Sequence, residues 1–242
     1  MDRTKPMQNK NRGFTLVELA VVVAVVALLL GTLLVPLTTQ VAQRNLTQKQ
    51  KQLDEIREAV LGYAIVNGRL PRPATSETDG NERASCADAR DCTGFLPWAT
   101  LGLPRADVWG KLLRYSVVPQ YANATFDFGT GATLKTVQTR IPSSSTPVNL
   151  ATNLVAVVIS YGPNNWGRTE AGTDIVDTSA TNVDEDTNEA KFHCTTAANC
   201  TDFISRPMST SPAAAGGEFD DLLVWVPQTI LFNRLVAAGK LP

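Results

Sequence analysis

The sequence predicts an α+β chain: one long N-terminal helix, a series of short strands and a short closing helix. Three observations carry this. An apolar run from Phe14 to Leu37 passes directly into a stretch with helical hydrophobic spacing; β-branched apolar runs bounded by proline or glycine recur from Lys111 onward; and the chain ends in a strand pattern, a helix pattern and a glycine stop. The chain has 242 residues, and setting aside its terminal segment leaves roughly 200, enough for one globular domain with a real core.

The apolar run holds a single charged side chain, Glu18. At about 1.5 Å per residue it makes a helix of roughly 36 Å, enough to cross a hydrocarbon core of about 30 Å. Ahead of it, Arg3, Lys5, Lys10 and Arg12 stand against Asp2, so the leader carries a net charge of +3. A basic leader before an apolar span places the leader in the cytoplasm and everything after about Thr38 outside, as a single pass through the membrane. A cleaved secretory signal would have an apolar region of about 7 to 15 residues ending in an A-x-A-like site, and none is visible near Thr38 to Gln43. A plain anchor explains the length and the basic flank. It leaves Glu18 unexplained, since a carboxylate in a membrane span costs a few kcal/mol unless something offsets it.

The stretch RGFTLVEL, Arg12 to Leu19, resembles the cleavage and methylation motif of type IV prepilins and type II secretion pseudopilins: basic leader, glycine, phenylalanine, then a glutamate as the fifth residue of the mature chain. The resemblance implies that a prepilin peptidase cuts after Gly13 and methylates the new amine on Phe14. It also implies a partner for Glu18, the amine of a neighbouring subunit. The chemistry is consistent with this, because cleavage leaves a cationic amine beside an apolar helix, and a helical stack neutralises both charges in trans. A subunit in the wrong axial register would leave both unpaired, so the contact is a pairing rule as well as a stabilising one. A pilin-like fold follows from the same resemblance, with an antiparallel sheet packed against the outer half of the helix. The implied organisation is a removed leader (1–13), a transmembrane assembly helix (14–37), its amphipathic continuation (38–68) and a globular domain (69–242) in the periplasm or an extracellular fibre. Other pilin or pseudopilin subunits and an inner-membrane assembly platform are the implied partners.

Beyond the span, Leu46, Leu53, Ile56, Val60 and Tyr63 recur at helical spacing and define one apolar face. Lys49, Lys51, Asp54, Glu55, Arg57 and Glu58 are expected to form mostly its solvated side, and Asn67-Gly68 with Pro71 and Pro73 beyond ends the helix. Pro36 lacks an N–H and is expected to kink or locally break the helix. Lys111 to Pro119 and Asn149 to Gly162 are the clearest strands, and DVWGKLLRYSV, Asp107 to Val117, resembles the D-P-W-G…Y segment of major pseudopilins with Val108 in place of proline. At the end, Leu222 to Val226 reads as a strand, Pro227 as a helix start and Gly239 as its stop.

Four cysteines, Cys86, Cys92, Cys194 and Cys200, form two C-x5-C pairs, which fits disulfides in an oxidising compartment. Three connectivities are open, and local pairing is preferred because the spacings match and both pairs lie in polar stretches. Zinc is disfavoured: its sites use C-x2-4-C, and His193 supplies one ligand in the wrong place. No G-x-S-x-G and no phosphate-cradling G-x-x-x-x-G-K-[ST] occurs, and a single histidine leaves little acid–base chemistry, so no enzyme is expected. Net charge is −1, which points away from nucleic acid. The acidic stretch Asp174 to Glu189, read as a loop, offers Asp174, Asp177, Asp184 and Asp186 as ligands for calcium, although EF-hand spacing is absent. Apart from such a calcium ion no cofactor is expected. The functional reading is a structural fibre subunit, a minor pilin or pseudopilin because the outer domain is large and loop-rich. An anchored binding module or tip adhesin that uses the motif for export is the alternative.

Overall fold

The fold is taken from a computed structural model, which describes residues 14–123, 133–141, 146–196 and 200–241, without the side chains of 30–39 and 42. The chain falls into two compact units, Met1–Thr47 and Gln48–Pro242. Helix α1 (Leu16–Asn67) contributes to both and runs through Pro36 without a break. One missing N–H removes a single ladder bond, which a helix of this length tolerates. Among the described residues no helix is long and apolar enough to cross a membrane. The expected span, 14–37, lies only partly among the side chains described.

The second unit is α+β: the outer part of α1 lies on a mixed, mostly antiparallel curled sheet, closed by a short C-terminal helix. The elements after α1 are β1 (Thr93–Phe95), α2 (Trp98–Leu101), β2 (Arg114–Val117), α3 (Pro119–Asn123), β3 (Lys135–Thr139), β4 (Val148–Ser160), α4 (Val183–Phe192), β5 (Asp202–Ile204), β6 (Leu222–Pro227) and α5 (Gln228–Ala237). Strand β4 is the spine. Its outer half pairs antiparallel with β2 on one side and β6 on the other, and its first half pairs with β3. Strand β5 then adds to β3 in parallel, the one departure from an all-antiparallel sheet.

Both faces of β4 are covered from Leu154 to Ser160, which is why that half reads as an apolar run, whereas its first six residues are largely exposed. Ala156 and Val158 join Ile56, Val60, Leu61 and Ala64 of α1 in one core, while Leu154, Val157, Ile159 and Tyr161 pack with Phe203, and half-buried Phe192 and Trp166, in a second. A left-handed Gly68 ends α1, its N–H bonded to the Ala64 carbonyl. Leu231 and Leu235 of α5 complete the first core.

Two expectations need correction. Lys49 is not on the solvated side of α1: it is fully buried, 3.7 Å from the carboxylate of Asp107. And the acidic stretch is not a loop throughout, since Val183–Phe192 is helix α4 with Asp184, Glu185 and Asp186 in its first turn and Lys191 in its last. That charge order favours the helix dipole at both ends.

Candidate functional site

Two features stand out, one in each unit. The first is the start of α1. Thr15 is its N-cap residue: the Thr15 hydroxyl accepts from the Glu18 N–H at 3.3 Å, and Glu18 Oε2 accepts from both the Thr15 N–H and the Thr15 hydroxyl at 2.9 Å. This is a capping box, two orphan donors satisfied reciprocally across T-x-x-E. Around it Phe14, Leu16, Val17 and Leu19 are exposed, and so are the larger apolar side chains along to Leu29. Glu18 is therefore a carboxylate in a bare apolar helix, with one oxygen committed locally and Oε1 free of any hydrogen bond among the described residues. Gly13 and the leader lie outside the described residues, so the geometry begins at Phe14, the residue that would carry the new amine. The role of Thr15 was legible as T-x-x-E but is hidden when the glutamate is read only as an assembly residue.

The second feature is a buried polar network in the outer domain. Asp107 organises one end: Oδ1 accepts from the N–H of Trp109 and of Lys111 at 2.9 Å, and Oδ2 accepts from the Ser160 hydroxyl at 2.6 Å and faces Lys49. Burial lowers the Lys49 ammonium to about 8, against the pull of Asp107. Lys111, also buried, donates through Nζ to the carbonyls of Tyr161, Asn164 and Asn165, and so fastens the loop after β4. Beyond it lie Glu185, Asp220 and Asp221, whose carboxylate oxygens come within 4.8 Å of one another; among the described residues this is the acidic group that could hold a metal ion. Glu185 accepts from the Asp220 N–H at 2.7 Å and from Asn182 at 2.9 Å, and Asp221 accepts from Asn188 at 2.8 Å. Asp220 Oδ2 accepts from the Asn164 N–H at 3.2 Å, while Oδ1 is buried without a partner.

Asp220 and Asp221, buried beside Glu185, resist ionisation. Burial, reinforced by the charge of Glu185, raises the Asp220 carboxyl to about 6, and burial raises Asp221 well above the usual range. A carboxyl whose folded pKa is raised stabilises the fold below its unfolded value and loses that contribution as pH rises through the folded value. Glu82 acts in a separate window. Burial opposes its ionisation, but bonds from Arg69, Tyr63 and the Arg72 N–H hold it at about 2, so its contribution is complete above 4.5 and is lost progressively as pH falls from there through about 2. The urea midpoint of the detergent-solubilised full chain, followed by tryptophan fluorescence, is therefore expected to be higher at pH 5 than at pH 7, by about 1 kcal/mol from Asp220, with Asp221 adding in the same direction. Asp220→Asn should raise stability at pH 7 and flatten the slope. A midpoint that climbs steadily from pH 5 to 7 in both proteins would contradict this.

Each of the four carboxylates expected to share a calcium ion has a protein partner. Asp174 pairs with Arg168 at 2.7 Å, Asp177 accepts from Ser179 and Asn182, Asp186 accepts from the Trp166 indole at 2.9 Å, and Asp184 is fully buried between Arg140 and Arg206. The nearby bases come from residues 140 and 206, far off in sequence. Cys86 is bonded to Cys92 and Cys194 to Cys200, and no cysteine is free. His193 caps the end of α4, exposed, with its ring 2.8 Å from Glu189.

No curated protein and no solved structure matches the chain. Residues 8–34 match the prokaryotic N-terminal methylation motif, the prepilin-type signal for cleavage and methylation, which implies a prepilin-like protein processed by prepilin peptidase, anchored in the inner membrane by its N-terminus, with its disulfide-bonded domain outside the cytoplasm.

Proposed function

We propose that this chain is a structural subunit, a minor pilin or pseudopilin, of a type IV pilus or type II secretion fibre, assembled through α1 after removal of residues 1–13. The observation that carries this reading is a lone carboxylate, Glu18, in an exposed apolar helix, the fifth residue after the Gly13-Phe14 junction of the matched motif. Neither half of that arrangement suits a free monomer: the apolar side chains need lipid or other helices, and Glu18 needs a cation. A stack of identical or related helices supplies both. Residues 14–37 act as membrane span before assembly and as fibre core after it, residues 38–68 carry the outer domain, and the assembly platform in the inner membrane extracts the subunit. The role is non-catalytic, with the peptidase acting on the chain.

Mass spectrometry of the protein purified from membranes tests the first step. The expected mature chain begins at Phe14 with an N-methylated amine and lacks residues 1–13. An intact Met1, or an N-terminus near residue 40, would overturn the assignment. Deleting the gene and assaying secretion, twitching, adhesion and DNA uptake in parallel then separates the fibre systems.

A further inference from the structure

Three lysines are buried in the outer domain, and two are accounted for. Lys49 faces Asp107 and Lys111 donates to three carbonyls. Lys135, the first residue of β3, is 1% exposed, donates one hydrogen bond from Nζ to the Cys200 carbonyl at 3.1 Å, and lies 5.9 Å from the centre of the Phe203 ring. Among the described residues no carboxylate comes within 4.0 Å of it; Asp202 acts only from farther away. A buried ammonium with one neutral acceptor is costly, and such groups are normally paired with an anion.

Lys135 also lines a cavity of about 360 Å³. The cavity lies between the loop closed by Cys86 and Cys92, which supplies Ala87, Asp88 and Ala89, and the start of α3, with Val118 and Pro119 as its apolar wall; the Asp88 carboxylate on its rim is engaged through Oδ1 by the N–H groups of Arg90 and Asp91 at 2.9 Å. We propose that this cavity binds a small organic carboxylate, its anionic end paired with the Lys135 ammonium and its apolar body against Val118 and Pro119. The missing counter-charge and the space for it are thus adjacent, and the mixed lining suits an anion with a short hydrocarbon part better than an inorganic one.

Butyrate is the probe, titrated at pH 6 into the full processed chain in detergent, with sodium chloride and sodium phosphate at equal ionic strength as controls. Butyrate should raise the melting midpoint saturably and the two salts should not. Lys135→Met removes the ammonium and should abolish the rise, and Ala87→Phe, which puts a ring into the cavity from its lining and keeps Lys135, should abolish it too. Burial lowers the Lys135 amine to about 7. Affinity should therefore fall about tenfold for each pH unit above that value, a readout that a purely structural lysine would not move. If Lys135→Met fails to fold, Ala87→Phe and the pH profile decide the question. An equal response to phosphate would overturn the carboxylate assignment. A response to butyrate no larger than to chloride, or one retained in Ala87→Phe, would overturn the site.

Discussion

Replacing Glu18 by glutamine leaves the chain processed and in the membrane, and removes it from the fibre. Glutamine is chosen because the start of α1 gives Glu18 two duties that a valine or alanine would abolish together. Its Oε2 closes the capping box with Thr15, and its charge is the proposed counterpart of a neighbour's amine. Glutamine keeps the first duty, since a capping box accepts Glu or Gln, and loses the second. Insertion should become easier, because a carboxylate within a span costs up to a few kcal/mol on insertion scales. Assembly should suffer by a similar energy, and with each 1.4 kcal/mol worth a factor of ten, incorporation into sheared fibres should drop by about a hundredfold. Thr15→Val is the converse variant: it breaks the cap, costs the helix about 1 kcal/mol and leaves the charge, so it should still enter fibres. The measurement is the ratio of chain in the fibre fraction to chain in the membrane fraction. If Glu18→Gln assembles normally and Thr15→Val does not, the glutamate acts as a cap and the pairing reading fails.

How much of this was legible in the sequence differs from element to element, and the reason is range. The inner face of α1 was readable because Leu53, Ile56 and Val60 repeat at helical spacing and each is buried. Lys49, one turn before Leu53 on that same face, was not, because its burial depends on Asp107, which reaches it only after the chain has turned back. Strand β4 was visible as an apolar run because both faces of its second half are covered, whereas β1, β3 and β5 are three to five residues long, mix polar with apolar side chains, and take their identity from their neighbours in the sheet. Glu18 was conspicuous as a lone charge. The network of Lys111, Glu185, Asp220 and Asp221 was not, since its members come from three distant stretches and look like ordinary surface charges in isolation.

The acidic stretch makes the same point through its energetics. Asp184→Ala should destabilise the outer domain by about 3 to 5 kcal/mol, the usual cost of breaking a buried ion pair by removing one partner. Asp184 lies in the first turn of α4, fully buried, and accepts from Arg140 Nε at 2.8 Å through each oxygen and from Arg206 Nε at 2.7 Å. It thereby joins the end of β3, the start of α4 and the segment after β5. Arg206 continues the tie by donating to the Gly217 carbonyl at 2.7 Å. The turn above is equally tight: Gly216 and Gly217 have φ of 86° and 80°, and a Cβ on Gly216 would stand 1.9 Å from Asp184 Oδ2. Truncating Asp184 leaves two guanidinium groups with side chains 13% and 6% exposed and no charge from Asp184 to balance them. Against a total stability of about 5 to 15 kcal/mol that is a large share, and the urea midpoint of the full chain should fall accordingly. Asp174→Ala is the control, because its pair with Arg168 leaves Asp174 67% exposed and an exposed pair contributes at most about 1 kcal/mol. Calcium should not rescue Asp184→Ala, and an ion recruiting Asp184 in the native chain would have to compete with both arginines. A loss below about 1 kcal/mol on the Asp184 change would mean that other groups neutralise Arg140 and Arg206 and that the joint is not held by this carboxylate.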